Sequence, residues 1–404
     1  MATNAVGRRQ YNDRSTRIQD DIMDMILLLD GDPNAAGFLA TYGRLTADTV
    51  IQEKFEWDVD DFLPRSDTTA ASVTSTATLI NVTTPLAYNA GQLWFNKTTG
   101  EVFRVESVDT STAYLTVKRA VSALNSEGGT AAAAMSSGDT LLRLSPAVGE
   151  DERRQTAHTT IPTTVYNYTQ AMRWEVSMSR RQIKRGFKNG GPELPYQTRK
   201  TMLEARMQLN AMFLAGQRAR WTDASEGDIT TTQGIRGAIT TNLFAVGGTL
   251  YQNAFNEWLV EEGLRKGSKN KVLVTSTNVI LALTEMANEL AHFTLPFSGT
   301  TDMGVRIGTY LSPNGGELMI VEDRWMSENL NGEGYLLDFN QLGRVVFSNN
   351  GINDDLHIKE NTQDVDDVGV VHTMHADMGL RYGAEQSHGK LTGITGGASG
   401  SSVS

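Results

Sequence analysis

A chain of 404 residues is longer than one ordinary hydrophobic core and predicts two or three domains. With 39% hydrophobic and 21% charged residues it has a soluble globular composition, and its net charge of −11 excludes a coat that grips nucleic acid by bulk positive charge. Cysteine is absent, which excludes disulfides, thiolate metal sites and cysteine nucleophiles and fits folding in a reducing cytoplasm.

The opening MATNAVGRRQYNDRSTR has no apolar stretch of the kind a secretory signal needs, and no run approaches the ~20 apolar residues of a membrane span, so no membrane partner is expected. Arg8, Arg9, Arg14 and Arg17 stand against a single Asp13. This is either a solvated tail or a basic arm that lies on a neighbouring subunit or on nucleic acid. A short helix is predicted over Ile18–Leu29, ended by the turn residues Asp30-Gly31-Asp32-Pro33-Asn34. Asp58, Asp60 and Asp61 lack the alternate spacing, bend glycine and closing glutamate of a calcium loop, so no metal is assigned to them.

From Ser66 to Ser145 the chain is rich in Thr, Ser, Val and Ala, with period-two alternation such as Leu115 and Val117 between Tyr114, Thr116 and Lys118. The turn Asn96-Lys97-Thr98-Thr99-Gly100 before Phe103 and Val105 is a hairpin signal, and a small all-β module of about four to six strands is predicted. Trp94, Phe95, Phe103 and Tyr114 fall within these strands and read as core. Glu150–Tyr168 has no helical period and reads as an extended, exposed arm. The charged step Glu150, Asp151, Glu152, Arg153, Arg154 at its base is the candidate contact with a neighbouring subunit.

Basic Arg180, Arg181, Lys184 and Arg185 and the turn Asn189-Gly190-Gly191 precede the longest helical pattern, Pro192–Gln217. There Met202, Ala205, Leu209, Met212 and Phe213 keep one face apolar, widened by Leu203, Met207 and Leu214. Arg199, Glu204, Gln208 and Asn210 fill the polar side. Such a helix spans about 35–40 Å. Trp221–Gly248 reads as loop-rich. Residues 250–340 read as an α/β unit: a helix bearing Phe255, Trp258 and Leu259, a buried strand Lys271–Thr275, and a helix capped by Ser276 or Thr277. Strands then follow at Val305–Tyr310, Leu318–Val321 and Tyr335–Phe339. Further strands are expected at Val345–Phe347 and Val370–Met374, and the closing GITGGASGSSVS reads as frayed low complexity.

Nothing in the chain assembles a catalytic motif. Of six histidines, His372 and His375 lie three apart in a strand pattern, on opposite faces and without an intervening acid. GAEQSHGKL, Gly383–Leu391, departs from a phosphate-binding loop by one extra residue and by Leu391 where Ser or Thr belongs. The acids Asp364, Asp366 and Asp367 read as a solvated loop. Neither catalytic residue nor cofactor is assigned.

Taken in order, several stretches resemble the major capsid proteins of tailed bacteriophages with the Hong Kong 97-type fold, in the branch with a small β insertion ahead of the central helix. They are GQLWFNKTTGEVFRVESV, AYLTVKRAV, GGTAAAAMSSGDTLLRL, SPAVGEDERR, VYNYTQAMRWEVSMSRRQIKRG, MLEARMQLNAMFLAG, LVTSTNVILAL, GELMIVEDRWM, GYLLDFNQLG and MGLRYGAEQSHGKLTGI. The resemblance implies an α+β fold with a long spine helix, peripheral and axial domains, and extended arms. The parts would be an N-terminal arm over 1–65, an inserted β-domain over 66–149 and an extended loop over 150–190. A peripheral domain with the spine helix would cover 191–249 and an axial domain 250–340, with 341–404 returning to the peripheral domain and the tail. It further implies hexamers and pentamers of the chain itself, with scaffold, portal and decoration proteins as partners and packaged double-stranded DNA on the inner face. The protein would belong to the virion capsid and assemble in the host cytoplasm. A tail or connector component, or a glycan-binding adhesin, is the alternative.

Overall fold

The computed structural model describes residues 47–126, 128–150, 159–184, 192–291, 308–349 and 352–398. The N-terminal arginines and the helix expected over Ile18–Leu29 lie outside the described residues. The chain forms two units: Asp58–Thr164, and the parts of the chain on either side of it.

The smaller unit is built on an antiparallel six-stranded sheet in the order Ser66–Thr68, Thr140–Pro146, Gln92–Asn96, Val102–Asp109, Tyr114–Lys118, Leu79–Asn81. Alternation puts Trp94, Phe103, Val105, Leu115, Val117 and Leu141 into one dry cluster. The hairpin turn works because the Asn96 side-chain oxygen accepts from the N–H groups of Thr98 and Thr99, and Gly100 supplies a φ of 73°. One buried ion pair clasps the unit. The Arg119 guanidinium meets both Glu101 oxygens at 2.6 Å and also donates to the carbonyls of Thr74, Ala77 and Ala133. Glu101 in turn accepts from the Ala120 N–H.

The larger unit has two six-stranded sheets and the long helix. The first sheet runs Ala47–Val50, Gly343–Asn349, Val370–Arg381, Gln170–Met178, with Ile352–Asn353 and His357–Lys359 alongside. The long helix is Glu193–Ala215, entered from an extended Pro192 and closed where the Gly216 N–H reaches the Met212 carbonyl. Leu209, Phe213 and Leu214 share a core with Ala376, Met378 and Leu380 of that sheet. All fully buried positions of the helix lie from Ala205 onward. Asn210, read from the sequence as surface, is buried: its amide donates to Asp323 at 2.9 Å. Asp323 also caps the helix Arg324–Asn329 through the Met326 N–H, so the asparagine is held by a shared polar partner.

The second sheet runs Leu243–Tyr251, Gly389–Ala398, Gly334–Leu337, Lys271–Thr275, Glu317–Glu322, Thr309–Leu311. It covers a second core of Phe255, Trp258, Leu259, Leu273, Val279, Leu283, Leu336 and Ile394. The low-complexity tail is therefore a strand as far as Ala398. Gly397 is required by packing, because the helix Thr277–Ala291 lies so close that a Cβ there would collide with the Ala282 backbone. Of the two residues expected to cap that helix, the Ser276 hydroxyl donates to the Glu333 carbonyl and the Thr277 hydroxyl to the Glu322 carboxylate.

Two other expectations change. Trp221–Gly248 contains a hairpin (Ala219–Asp223 with Gly227–Thr231), a helical turn Ile235–Ala238 and the strand Leu243–Tyr251. The arm expected over Glu150–Tyr168 gives way at Thr163 to the strand Thr163–Tyr168, paired with Lys54–Val59. Asn167 is the reason. It is fully buried and donates to Thr232 Oγ1 and the carbonyls of Gln233 and Leu380, tying this stretch to its own core.

The buried Arg119–Glu101 pair generates a test. Arg119→Met strands the Glu101 carboxylate and is expected to cost about 3–5 kcal/mol in chemical denaturation. The double change Glu101→Leu with Arg119→Met should lose clearly less; equal losses would show that lost packing, and not an orphaned charge, sets the cost.

Candidate assembly site

Of the sequence-predicted contact residues, Glu150 is exposed in a turn, while Asp151, Glu152, Arg153 and Arg154 lie outside the described residues. Apolar side chains are exposed on either side of this step, Val148 at 55% and Ile161 at 90%. The short helix Arg180–Lys184 buries none of its residues, so its cations face solvent. Beside it an open polar cleft of about 430 Å³ is lined by Glu175, Ser177, Gln182, Glu193, Gln197 and Thr201. It holds no nucleophile–base pair.

Among the described residues the histidines occupy structural or surface places; His158 and His292 lie outside them. His372 is buried and its Nδ1 accepts from the Asn361 N–H, whereas His375 points to the other face beside His357, with ring centroids 6.1 Å apart. Burial, followed by Lys359, Arg173 and His357, holds the His375 pKa below its ordinary value. The stretch that resembled a phosphate loop is a turn at Glu385–Ser387 leading into a strand, with no helix to receive an anion. Among the described residues no group of three or more His, Asp and Glu stands close enough to hold a metal ion. Of the four strand aromatics read as core, Trp94 and Phe103 are fully buried and Phe95 is half-buried, whereas Tyr114, on the outward face of its strand, is 41% exposed.

Sequence reading missed one polar junction. Lys271, Asp338 and His388 are all buried at the end of the second sheet. Lys271 Nζ donates to the carbonyls of Gly263 (2.6 Å), Lys266 (2.9 Å) and Ser387 (2.5 Å). Burial lowers its pKa to about 8, against the raising effect of Asp338. His388 Nδ1 accepts from the Asp338 N–H and its Nε2–H donates to the Tyr382 carbonyl, which fixes the neutral tautomer. A lysine in a strand pattern and a lone histidine carry no local signal of this meeting.

The family model of the SU10 major capsid protein matches residues 4–395. The chain belongs to the SU10 major capsid protein family. It is a major capsid protein of a tailed bacteriophage, a component of the virion shell that assembles from copies of itself. The mixed α+β architecture agrees with the Hong Kong 97-type expectation. No curated protein matches the chain. Solved structures similar to it include the capsid of a native GTA particle (8% identity, 93% of this chain and 95% of that one, TM-score 0.48). Mycobacterium phage Cain is similar at 10% identity, 95% and 98% coverage and TM-score 0.48. The SrpI encapsulin complex of Synechococcus elongatus is similar at 10% identity, 96% and 97% coverage and TM-score 0.45. No helix among the described residues of the capsid protein is long and apolar enough to cross a membrane.

For this capsid protein the buried junction sets a pH limit. Burial lowers the His388 pKa from 6.5 to about 4. The folded state thus binds its proton more weakly than the unfolded chain does. The histidine's contribution is complete above pH 6.5, falls as pH drops toward 4, and is lost below that. The expected loss is on the order of 3 kcal/mol across this window. Melting temperature against pH should decline between pH 6.5 and 4 in the wild-type chain, and His388→Gln should flatten that limb. Parallel pH profiles for the two would refute it.

Proposed function

We propose that this capsid protein closes as hexamers and pentamers into an icosahedral shell around double-stranded DNA. Assembly takes place in the host bacterial cytoplasm with scaffold, portal and decoration proteins, and the part it plays is architectural and not catalytic. The observation that carries this reading is that one capsid-protein family model runs through nearly the whole chain, residues 4–395. The long helix and first sheet serve as the peripheral domain and the second sheet as the axial domain. By their strand pairing we assign Leu243–Tyr251 and Gly389–Ala398 to the axial domain and Ala47–Val50 and Gln170–Met178 to the peripheral one. The inserted β-domain and the stretch around Glu150 face partners.

The contact itself is assigned to the charged step Glu150, Glu152, Arg153 and Arg154. Exposed ion pairs are worth only ~0–1 kcal/mol each within one fold. In a closed shell the same contact recurs at every subunit, so a small loss per site becomes a failure of assembly. Arg153→Glu with Arg154→Glu is expected to leave the subunit soluble with an unchanged melt, yet to block or misdirect particles in electron micrographs of the expressed protein. Normal particles from the double variant would remove these residues from the contact. A clean monomer from the wild-type chain at high concentration, with or without a scaffolding partner, would overturn the reading as a whole.

A further inference from the structure

The hairpin Ala219–Asp223/Gly227–Thr231 is a two-stranded sheet of its own, with no third strand among the described residues. Such ribbons are marginal in water unless one face is covered. Its two faces differ. On one, Arg220 and Thr222 of the first strand lie with Asp228 and Thr230 of the second. Asp228 binds Arg220 at 2.7 Å and Thr222 at 2.5 Å, and Thr230 donates to the Thr169 carbonyl of its own chain. That face is polar and satisfied within its own chain, with Arg220, Thr222 and Asp228 exposed and Thr230 half-buried.

The other face carries Trp221 directly opposite Ile229, with Ala219 and Thr231 behind them. Trp221 is 46% exposed, and neither it nor Ile229 packs against either apolar cluster of the larger unit. The turn is also preset. The Asp223 carboxylate accepts from the N–H groups of Ser225 and Glu226 and from the Ser225 hydroxyl, and Gly227 takes a φ of 85°. A ribbon with a preset turn and a half-exposed tryptophan loses little entropy on docking, and tryptophan is the residue type most enriched where interface energy concentrates.

We infer that the Trp221–Ile229 face of this ribbon docks against a second copy of the chain in the assembled shell. The inference rests on the reading of the protein as a self-assembling capsid subunit. A second copy is the occupant because the working state places like chains side by side, and because an uncharged aromatic face fits a protein surface and not DNA phosphate.

The cysteine-free chain allows a direct test. Ile229→Cys and, separately, Ser225→Cys at the turn are purified as unassembled subunits and as particles, and each is reacted with a maleimide. The Ile229→Cys thiol should label readily in the subunit and at least tenfold more slowly in particles. Trp221→Ala should cut particle yield severalfold while the subunit melt stays within a few degrees of wild type. Equal labelling of Ile229→Cys in both states, in particles that form normally, would overturn the inference and leave the capsid reading intact. Should Ile229→Cys itself block particles, Ser225→Cys decides by the same comparison: protection supports the docking and full reactivity overturns it. Absence of wild-type particles would count against the capsid reading instead.

Discussion

The larger unit depends on two strands that are buried on both faces. Lys271–Thr275 and Gly334–Leu337 form the wall between its two cores: Leu273 and Leu336 enter one, while Val274, Tyr335 and Leu337 enter the other. Their sequences, KVLVT and GYLL, are near-continuous apolar runs because neither face meets water. The long helix and the first sheet close over one side of this wall. The helices Gln252–Trp258 and Thr277–Ala291 close over the other. A substitution in the wall is felt in both cores at once, since packing at native density leaves neither side room to relax.

A wall of this kind has an end, and there backbone groups must be satisfied without solvent. Lys271 reaches three carbonyls, the Asp338 carboxylate accepts from the Ser268 and Asn340 N–H groups, and His388 joins Asp338 to Tyr382. Burial lowers the lysine's pKa to about 8 while the Asp338 carboxylate pulls the other way, so the charge is kept at neutral pH. The junction also anchors the C-terminal strand, since Ser387 and His388 immediately precede Gly389.

The proposed contacts would separate stability from assembly. A buried ion pair such as Arg119–Glu101 locks a fold, whereas Trp221 and Ile161 are exposed on elements with little core beneath them. An element with little core beneath it can give up water for a partner without disturbing the wall. A shell protein needs that separation, because the subunit must fold before its contacts are made.

The sequence by itself determined the elements whose pattern is local and strong. The long helix was legible because its 3.6-residue period and its proline and glycine ends agree. The strands holding Trp94, Phe103, Leu115 and Val117 were legible from alternation, and the ordered stretches carried the capsid resemblance. Tertiary structure alone decided the rest. Asn210 reads as polar surface until Asp323 is placed beside it. GITGGA reads as frayed until the Ala282 backbone is placed against Gly397, where it leaves no room for a side chain. Thr163–Tyr168 reads as an arm until Thr232, Gln233 and Leu380 surround Asn167. In each case the partner is distant in sequence, so no window of local residues contains the contact that fixes the conformation.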